Sequence, residues 1–439
     1  MNLHEKIASR EARVGVIGLG YVGLPLAIAF AESGFQVTGI DLCPDKVDAL
    51  NAGSSYIIDV GHTMVGAVVK NGHFRATTDS SSIRDLDAVC ICVPTPLNKN
   101  HEPDLSYIEA VLSELKKHLR RGALVVLEST TYPGTTEERI GKGLAEKGWH
   151  AGIDYHLCYS PERVDPGNKK YGIRNTPKVI GGVTAKCLEL ADALYRTITD
   201  RTVLVSNPKV AEMSKLLENT FRSVNIAFIN EMALMCDAIG VNIWEVIEAA
   251  SSKPFGFMPF YPGPGIGGHC IPLDPMYLSW KAKGENFFSR FIEVSQDINR
   301  NMPRYVVHKI SELLNTKKKC INGSRILLLG MAYKPDVDDL RESPSIEVYE
   351  LLREKGAALT VNDPYCAVMF DADGQQVNVQ AEVNDAELGD YDLLVLLTAH
   401  SRYDLPGIVA SGTLILDTRN AFAGLDAPNV ARIGDVLPY

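Results

Sequence analysis

A strand, a glycine-rich turn, a helix and a second strand ending in aspartate fill residues 14–41, and they constrain the fold of this chain most. Val14-Gly-Val-Ile-Gly-Leu-Gly-Tyr-Val-Gly23 is a short apolar strand running into G-x-G-x-x-G at Gly18, Gly20 and Gly23. Leu24–Ser33 follows as an apolar helix, and Gln36-Val-Thr-Gly-Ile-Asp41 as the next strand. In such a unit the first two glycines allow a tight turn and close approach of a pyrophosphate, and the third lets helix pack on strand. The helix N-terminus offers free N–H groups and partial positive charge to the phosphates. Asp41, at the end of the second strand, is placed to accept from both ribose hydroxyls and to repel a 2′-phosphate. The expected cofactor is therefore NAD rather than NADP, held by Gly18, Gly20, Tyr21, Val22, Gly23 and Asp41.

The alternation continues beyond this unit. Asp87–Pro94 reads as a buried strand ending in Thr95-Pro96, Leu105–Leu119 as an amphipathic helix, and Ala123–Glu128 as a strand leading to Ser129-Thr130-Thr131. Tyr155–Tyr159 is a further strand, which delivers Ser160-Pro-Glu-Arg163. Ligands of open α/β sheets bind beyond the carboxyl ends of the strands, so Thr95 and Thr130 are expected as donors to cofactor or substrate and Glu162 as a site residue. Cys90 and Cys92 sit inside a strand and read as core. No metal site is expected.

A long helix over Val210–Ile239 follows, preceded by Asn207-Pro208 and ended by Gly240. Its apolar residues are dense enough to predict burial of much of its surface. Lys215 and Asn219, four residues apart, share one face, and Arg222 continues nearby. After a second helix, Asn242–Ser251, comes Tyr261-Pro-Gly-Pro-Gly-Ile-Gly-Gly-His-Cys-Ile-Pro-Leu-Asp-Pro275, with four glycines and four prolines in fifteen residues. That density excludes a helix or an inner strand. A stiff loop presenting Cys270 with His269 and Asp274 suits covalent catalysis; a structural loop with an inert thiol is the alternative. Phe287–Asn301 reads as helix.

Lys317–Lys319 and Asn322-Gly323 mark a linker, after which the strand pattern restarts about 310 residues downstream of the first copy. Ser324–Gly330 parallels Arg13–Gly18, Leu359–Asp363 the strand ending in Asp41, Leu393–Thr398 the strand before Thr95, and Thr413–Asp417 the strand Ala123–Glu128. The second copy lacks G-x-G-x-x-G and offers Tyr333, Lys334, Arg341 and Ser343 instead, so a nucleotide there would be held by side-chain cations. The expected fold is α/β, two Rossmann-like doubly wound parallel-sheet domains joined by a long central helix. The expected divisions are 1–205, an NAD-binding domain; 206–305, a helical domain with the cysteine loop and dimer contacts; and 306–439, a nucleotide-binding domain.

Composition narrows the function classes. A net charge of −10 over 439 residues argues against nucleic acid as the main partner. No apolar run reaches the roughly 18–20 residues of a membrane span. Nine cysteines, an odd number without C-x-x-C pairs, suit a reducing compartment, so the expected location is cytoplasmic, without a membrane partner. Long central helices between α/β units commonly pack against a second subunit, which gives the expectation of a homodimer or higher homo-oligomer.

In its motifs the chain resembles the UDP-glucose and GDP-mannose dehydrogenase family over residues 13–425. The resemblance rests on Gly18–Pro25, Val93-Pro-Thr-Pro96, Glu128-Ser-Thr130, Ser160-Pro-Glu162, Lys215-Leu-Leu-Glu-Asn219, Gly267-Gly-His-Cys270, Tyr333-Lys334 and Arg341-Glu-Ser-Pro344. It implies four-electron oxidation of the C6 hydroxymethyl of a UDP-hexose through a thiohemiacetal and a thioester on Cys270. The family's pattern also implies that Lys215 and Asn219 stabilise the oxyanion, that Asp274 works with Thr130 and a water in base catalysis, and that Glu162 takes part in thioester hydrolysis. Lys334 and Arg341 match positions facing nucleotide phosphates, with contact to NAD as the alternative for Arg341. Arg163, Arg222, Tyr261, Gly267 and His269 complete the expected substrate contacts, with Glu162, Lys215 and Asn219. GGHC in place of GGSC or GGYC resembles the UDP-N-acetylglucosamine branch; UDP-glucose, UDP-N-acetylgalactosamine and UDP-N-acetylmannosamine are the alternatives. Two positions depart from the UDP-glucose pattern: Leu273 stands where a lysine precedes the aspartate, and Pro166 where a second glutamate follows Glu162. A two-electron hydroxyacid dehydrogenase would need neither Cys270 nor the second α/β copy. A non-catalytic NAD and nucleotide sensor would tolerate loss of the thiol.

Overall fold

The computed structural model describes residues 1–57, 59–98, 102–165, 167–168 and 170–435; Pro166 lies outside them. The chain divides into two compact units: residues 1–218 with 276–287, and residues 219–275 with 288–439.

The first unit is built on an eight-stranded sheet in the order β3-β2-β1-β4-β5-β6-β7-β8. The strands are β1 (Arg13–Ile17), β2 (Gln36–Ile40), β3 (Phe74–Thr77), β4 (Ala88–Ile91), β5 (Leu124–Leu127), β6 (His156–Tyr159), β7 (Lys178–Gly182) and β8 (Thr202–Val205). All neighbours are parallel except β6 and β7. The first six strands thus follow the order of a dinucleotide fold, with β7 and β8 added at one edge. Successive residues feed opposite faces, as the strand period of two requires. Val14 and Val16 enter one core and Ile17 the other; Cys90 enters the first, Val89 and Ile91 the second. Burial on both faces explains why these strands read as unbroken apolar runs. Helices α1 (Gly23–Glu32), α2 (Ser106–His118) and α3 (Ala185–Tyr195) belong to this unit.

Helix α4 (Pro208–Ile239) opens with proline at its first position, where the missing N–H costs nothing. Its surface is less buried than its composition predicts: Leu217, Phe221, Phe228, Met235 and Ile239 are all exposed. Then come α5 (Ile243–Ser251), α6 (Asp274–Gly284) and α7 (Arg290–Thr316). The last runs well past the expected end at Asn301. Pro303, inside it and buried, does not end the helix, because the apolar face continues through Met302, Val306, Ile310, Leu313 and Leu314.

The second unit carries a parallel five-stranded sheet, β10-β9-β13-β14-β15. Its strands are β9 (Arg325–Leu329), β10 (Ala358–Asn362), β13 (Leu393–Leu396), β14 (Ile415–Asp417) and β15 (Val430–Arg432). A separate antiparallel pair, β11 (Val368–Phe370) and β12 (Gln376–Asn378), sits in the β10–β13 connection. Helix α8 (Pro344–Glu354) packs on β10 and α7. Ile229 and Ala233 of α4, Ile243 of α5 and Val306 and Ile310 of α7 join one core with Ile326 and Leu328 of β9. No helix among the described residues is long and apolar enough to cross a membrane.

Candidate active site

In the first unit the glycine turn has two closed positions and one open one. Gly18 has φ +89°, and a Cβ there would lie 2.7 Å from the carbonyl oxygen of Cys92. At Gly23 a Cβ would lie 1.8 Å from the Gly18 oxygen, whereas at Gly20 it would meet nothing within 4 Å. The turn is therefore compressed against the protein at its two ends and bare at Gly20, the position at which a pyrophosphate approaches. Asp41 accepts the N–H of Leu19 at 2.8 Å and of Cys43 at 3.0 Å, one on each oxygen, which leaves lone pairs for ribose hydroxyls. Tyr56, which no motif signals, donates its hydroxyl to the Leu19 carbonyl at 2.6 Å and fixes the turn. These residues fit a dinucleotide.

At the carboxyl ends of β4 and β5 the two threonines are linked. The Thr95 hydroxyl donates to the Thr130 carbonyl oxygen at 2.7 Å, so its proton serves the loop rather than a ligand, a difference from its expected donor role. Glu162 accepts the N–H groups of Arg163 and Val164 at 2.7 and 2.6 Å and the Lys178 ammonium at 3.1 Å. Arg163, expected to reach substrate, gives its guanidinium to Glu218 at 2.7 Å and the Pro177 carbonyl at 2.8 Å. Lys215 is 9% exposed, and no carboxylate among the described residues forms an ion pair with it. A buried ammonium without a counter-charge is suited to a developing oxyanion.

The segment that carries Thr130 is braced from α4. Glu212, fully buried, accepts the N–H of Gly134 and both the N–H and hydroxyl of Thr136, the last two at 2.9 and 2.6 Å. Burial pushes its carboxyl up to about 7, although the three donors favour the anion. An unfolded glutamate titrates near ~4.3, so the folded state binds this proton more tightly and stability falls as pH rises between those values. The loss by pH 8 is roughly 3 kcal/mol. Thermal unfolding at pH 5 and pH 8 should show a smaller drop in Glu212→Gln than in the native protein; equal drops would assign the titration elsewhere.

In the second unit the cysteine loop is packed on the turn after β9. A Cβ on Gly267 would lie 2.6 Å from the Tyr333 Cβ and 2.8 Å from the Glu342 oxygen, and Gly268, at φ +82°, lies under the Tyr333 ring. The Gly268 N–H donates to the Arg341 carbonyl oxygen at 2.9 Å. Residues 261–273 form no helix or strand, as the glycines and prolines predict, and Asp274 opens α6. The Cys270 carbonyl accepts the Asp274 N–H at 2.8 Å, so the half-buried thiol residue stands one turn before a helix N-terminus, where negative charge is favoured. Asp274 is 2% exposed and accepts the Asn219 side-chain amide. Asn219 is thus spoken for by Asp274, one turn from the thiol residue. His269 is half-buried beside Cys270, Arg222 is exposed, and Tyr261 is exposed with its ring parallel to Trp244.

Lys334 lies half-buried after Tyr333, its ammonium 5.7 Å from that ring centre. Arg341 grips Asp339 in a two-pronged pair at 2.9 and 2.6 Å. Arg419, not singled out by the sequence, stands against Gly263, its Nε 2.8 Å from the Leu397 carbonyl. The aspartate that parallels Asp41 differs from it. Asp363 is fully buried and accepts Met331 and Ala332 N–H at 2.8 Å, His400 Nε2 at 3.0 Å and two further backbone donors. It has no capacity left for a ribose, so the second copy cannot hold a dinucleotide as the first does.

A dinucleotide turn in one unit, with a thiol loop and a cation-bearing turn in the other, defines an NAD-dependent oxidoreductase that also takes a nucleotide-linked substrate. Three family models match the chain: the NAD binding domain of the UDP-glucose/GDP-mannose dehydrogenase family over residues 12–199, its central domain over 209–301 and its UDP binding domain over 327–424. The chain belongs to this family and is a UDP-sugar dehydrogenase. It is 37% identical to a UDP-N-acetyl-D-mannosamine dehydrogenase of Campylobacter jejuni, over 89% of this chain and 96% of that one. It is 36% identical to an NDP-N-acetyl-D-galactosaminuronic acid dehydrogenase of Ralstonia nicotianae, over 93% and 96%. The solved UDP-D-ManNAc dehydrogenase of Pyrococcus horikoshii superposes with a TM-score of 0.86 at 33% identity, over 96% of this chain and 99% of that one.

Proposed function

We propose that the chain oxidises the C6 hydroxymethyl of UDP-N-acetyl-D-mannosamine to the carboxylate. The observation that carries this reading is Cys270, set one turn before a helix N-terminus on a loop that Gly267 and Gly268 lock against Tyr333. The names of the relatives favour N-acetylmannosamine over the N-acetylglucosamine that GGHC suggested, and they put UDP-N-acetylgalactosamine second.

NAD, when bound, supplies the hydride acceptor, twice per sugar. Lys215 stabilises the oxyanion that develops at C6. Asp274, held by Asn219, works with Thr130 and a water to take the hydroxyl proton. The Cys270 thiolate adds to the aldehyde carbon, and the thiohemiacetal so formed carries the second hydride that a bare aldehyde cannot give. Loss of that hydride leaves a thioester, whose C–S bond water breaks with Glu162 alongside, returning the thiol and the carboxylate. Lys334 and Arg341 hold the diphosphate.

Limiting UDP-N-acetyl-D-mannosamine with excess NAD should give two NADH per sugar and a uronate by mass. One NADH with an aldehyde product would overturn the thiol chemistry. Turnover of UDP-N-acetylglucosamine alone would keep the chemistry and reverse the choice of sugar.

A further inference from the structure

Three charged side chains meet inside the first unit, contributed by the residue after β5, the turn after β6 and the first residue of β7. Lys178 Nζ lies 2.6 Å from Glu128 Oε2 and 3.1 Å from Glu162 Oε2. The lysine side chain is 7% exposed, that of Glu128 0% and that of Glu162 14%. Tyr195 of α3 donates its hydroxyl to the other oxygen of Glu128. Cys90 of β4 and Cys92 just beyond it face the same cluster, and burial pushes both thiols up, so they stay neutral. Arg163, the nearest other cation in sequence, is turned to Glu218. One ammonium therefore serves two carboxylates. An apolar residue of similar volume usually stabilises a core as well as or better than a buried ion pair, so stability alone does not account for this lysine.

We propose that Lys178 is a positioning residue for thioester hydrolysis: it holds the Glu162 carboxylate ionised and in one orientation, while Glu128 anchors the ammonium from its other side. This rests on the hydrolytic role of Glu162 given above. Burial works against the Glu162 anion, but Lys178 and the two backbone donors outweigh it and hold the carboxyl below its usual range. Glu128, buried deeper, is pushed up by burial despite Lys178. The two carboxylates are thus driven apart, and the one beside the strand-end turn is the one kept charged. A carboxylate kept ionised can orient the water that attacks the thioester carbon and stabilise the positive charge that water develops.

The test follows release of the covalent sugar adduct from Cys270 against pH, by quenched flow and intact mass, in the full-length enzyme. In Lys178→Met the adduct should accumulate and the acid limb of its release should move up by about 1–3 pH units, the shift expected when a carboxylate loses an adjacent cation. Lys178→Arg should restore most of the rate. Glu128→Gln, which removes the competing charge, should move the limb down. Limbs unmoved in Lys178→Met and Glu128→Gln would overturn the proposal; where Lys178→Met fails to fold, shown by lost NAD binding, Glu128→Gln decides alone. Glu162→Gln separates the two readings. If that variant releases the adduct normally, the role of Glu162 is wrong and the proposal falls with it. If release is slowed there but the limbs stay fixed in the other variants, only the role of Lys178 is wrong.

Discussion

Cys270→Ser is expected to lower uronate formation by at least ~10³-fold while NAD still binds, since removing a covalent nucleophile costs orders of magnitude but leaves binding groups in place. The hydroxyl of serine fills nearly the same volume, so the loop packing through Gly267, Gly268 and Tyr333 should survive. A serine alkoxide is far harder to form than a thiolate, and an oxygen ester intermediate therefore does not replace the thioester. The measurement is uronate by mass alongside NAD titration calorimetry. Sustained uronate production would remove the thioester from the mechanism. Unchanged ligand binding with no oxidation in the native protein would instead indicate a sensor.

Gly23→Val is expected to weaken NAD binding by roughly ten- to a hundredfold and to lower stability by about 1–3 kcal/mol, the usual cost of overpacking. The reason is local. A Cβ there would stand 1.8 Å from the Gly18 oxygen and 3.1 Å from the Cys92 Cβ, and the first of these is backbone that can yield only by moving the turn. Gly20→Ala is the contrast, because its Cβ meets no protein atom within 4 Å. That variant should keep its thermal stability and lose NAD affinity alone, through contact with the pyrophosphate. If Gly23→Val bound NAD as the native protein does, the turn would not be the pyrophosphate cradle.

The parts of the site legible in the sequence are those in which chemistry and geometry come from one short stretch. Gly18 and Gly23 declare a turn because a Cβ at either would strike backbone, Gly20 leaves that turn bare, and Asp41 follows from the length of one βα unit. The glycine- and proline-rich stretch announces a rigid loop, and Cys270 is read from its setting within it. Strands β1, β2, β4, β5 and β6 are plain as apolar runs because both sheet faces are buried. The edge strand β8, short and only partly buried in the pattern of its residues, carries no such signal. The continuation of α7 past Pro303 was also hidden, since proline predicts a stop and only the apolar face overrides it.

What the sequence by itself determined is the α/β class, the dinucleotide turn, the stiff loop that carries Cys270 and the family to which they belong, because each rests on spacings within a few tens of residues. Only the tertiary structure decided what each charged group is paired with. It gave Glu162 to Lys178, tied Lys178 to Glu128 fifty residues earlier in the chain, set Glu212 under the Thr130 segment, and closed Asp363 to ligands while leaving Asp41 open. A helix or strand announces itself through its own periodicity. The partner of a buried charge is chosen by where separate strands end in space, and no local pattern records that.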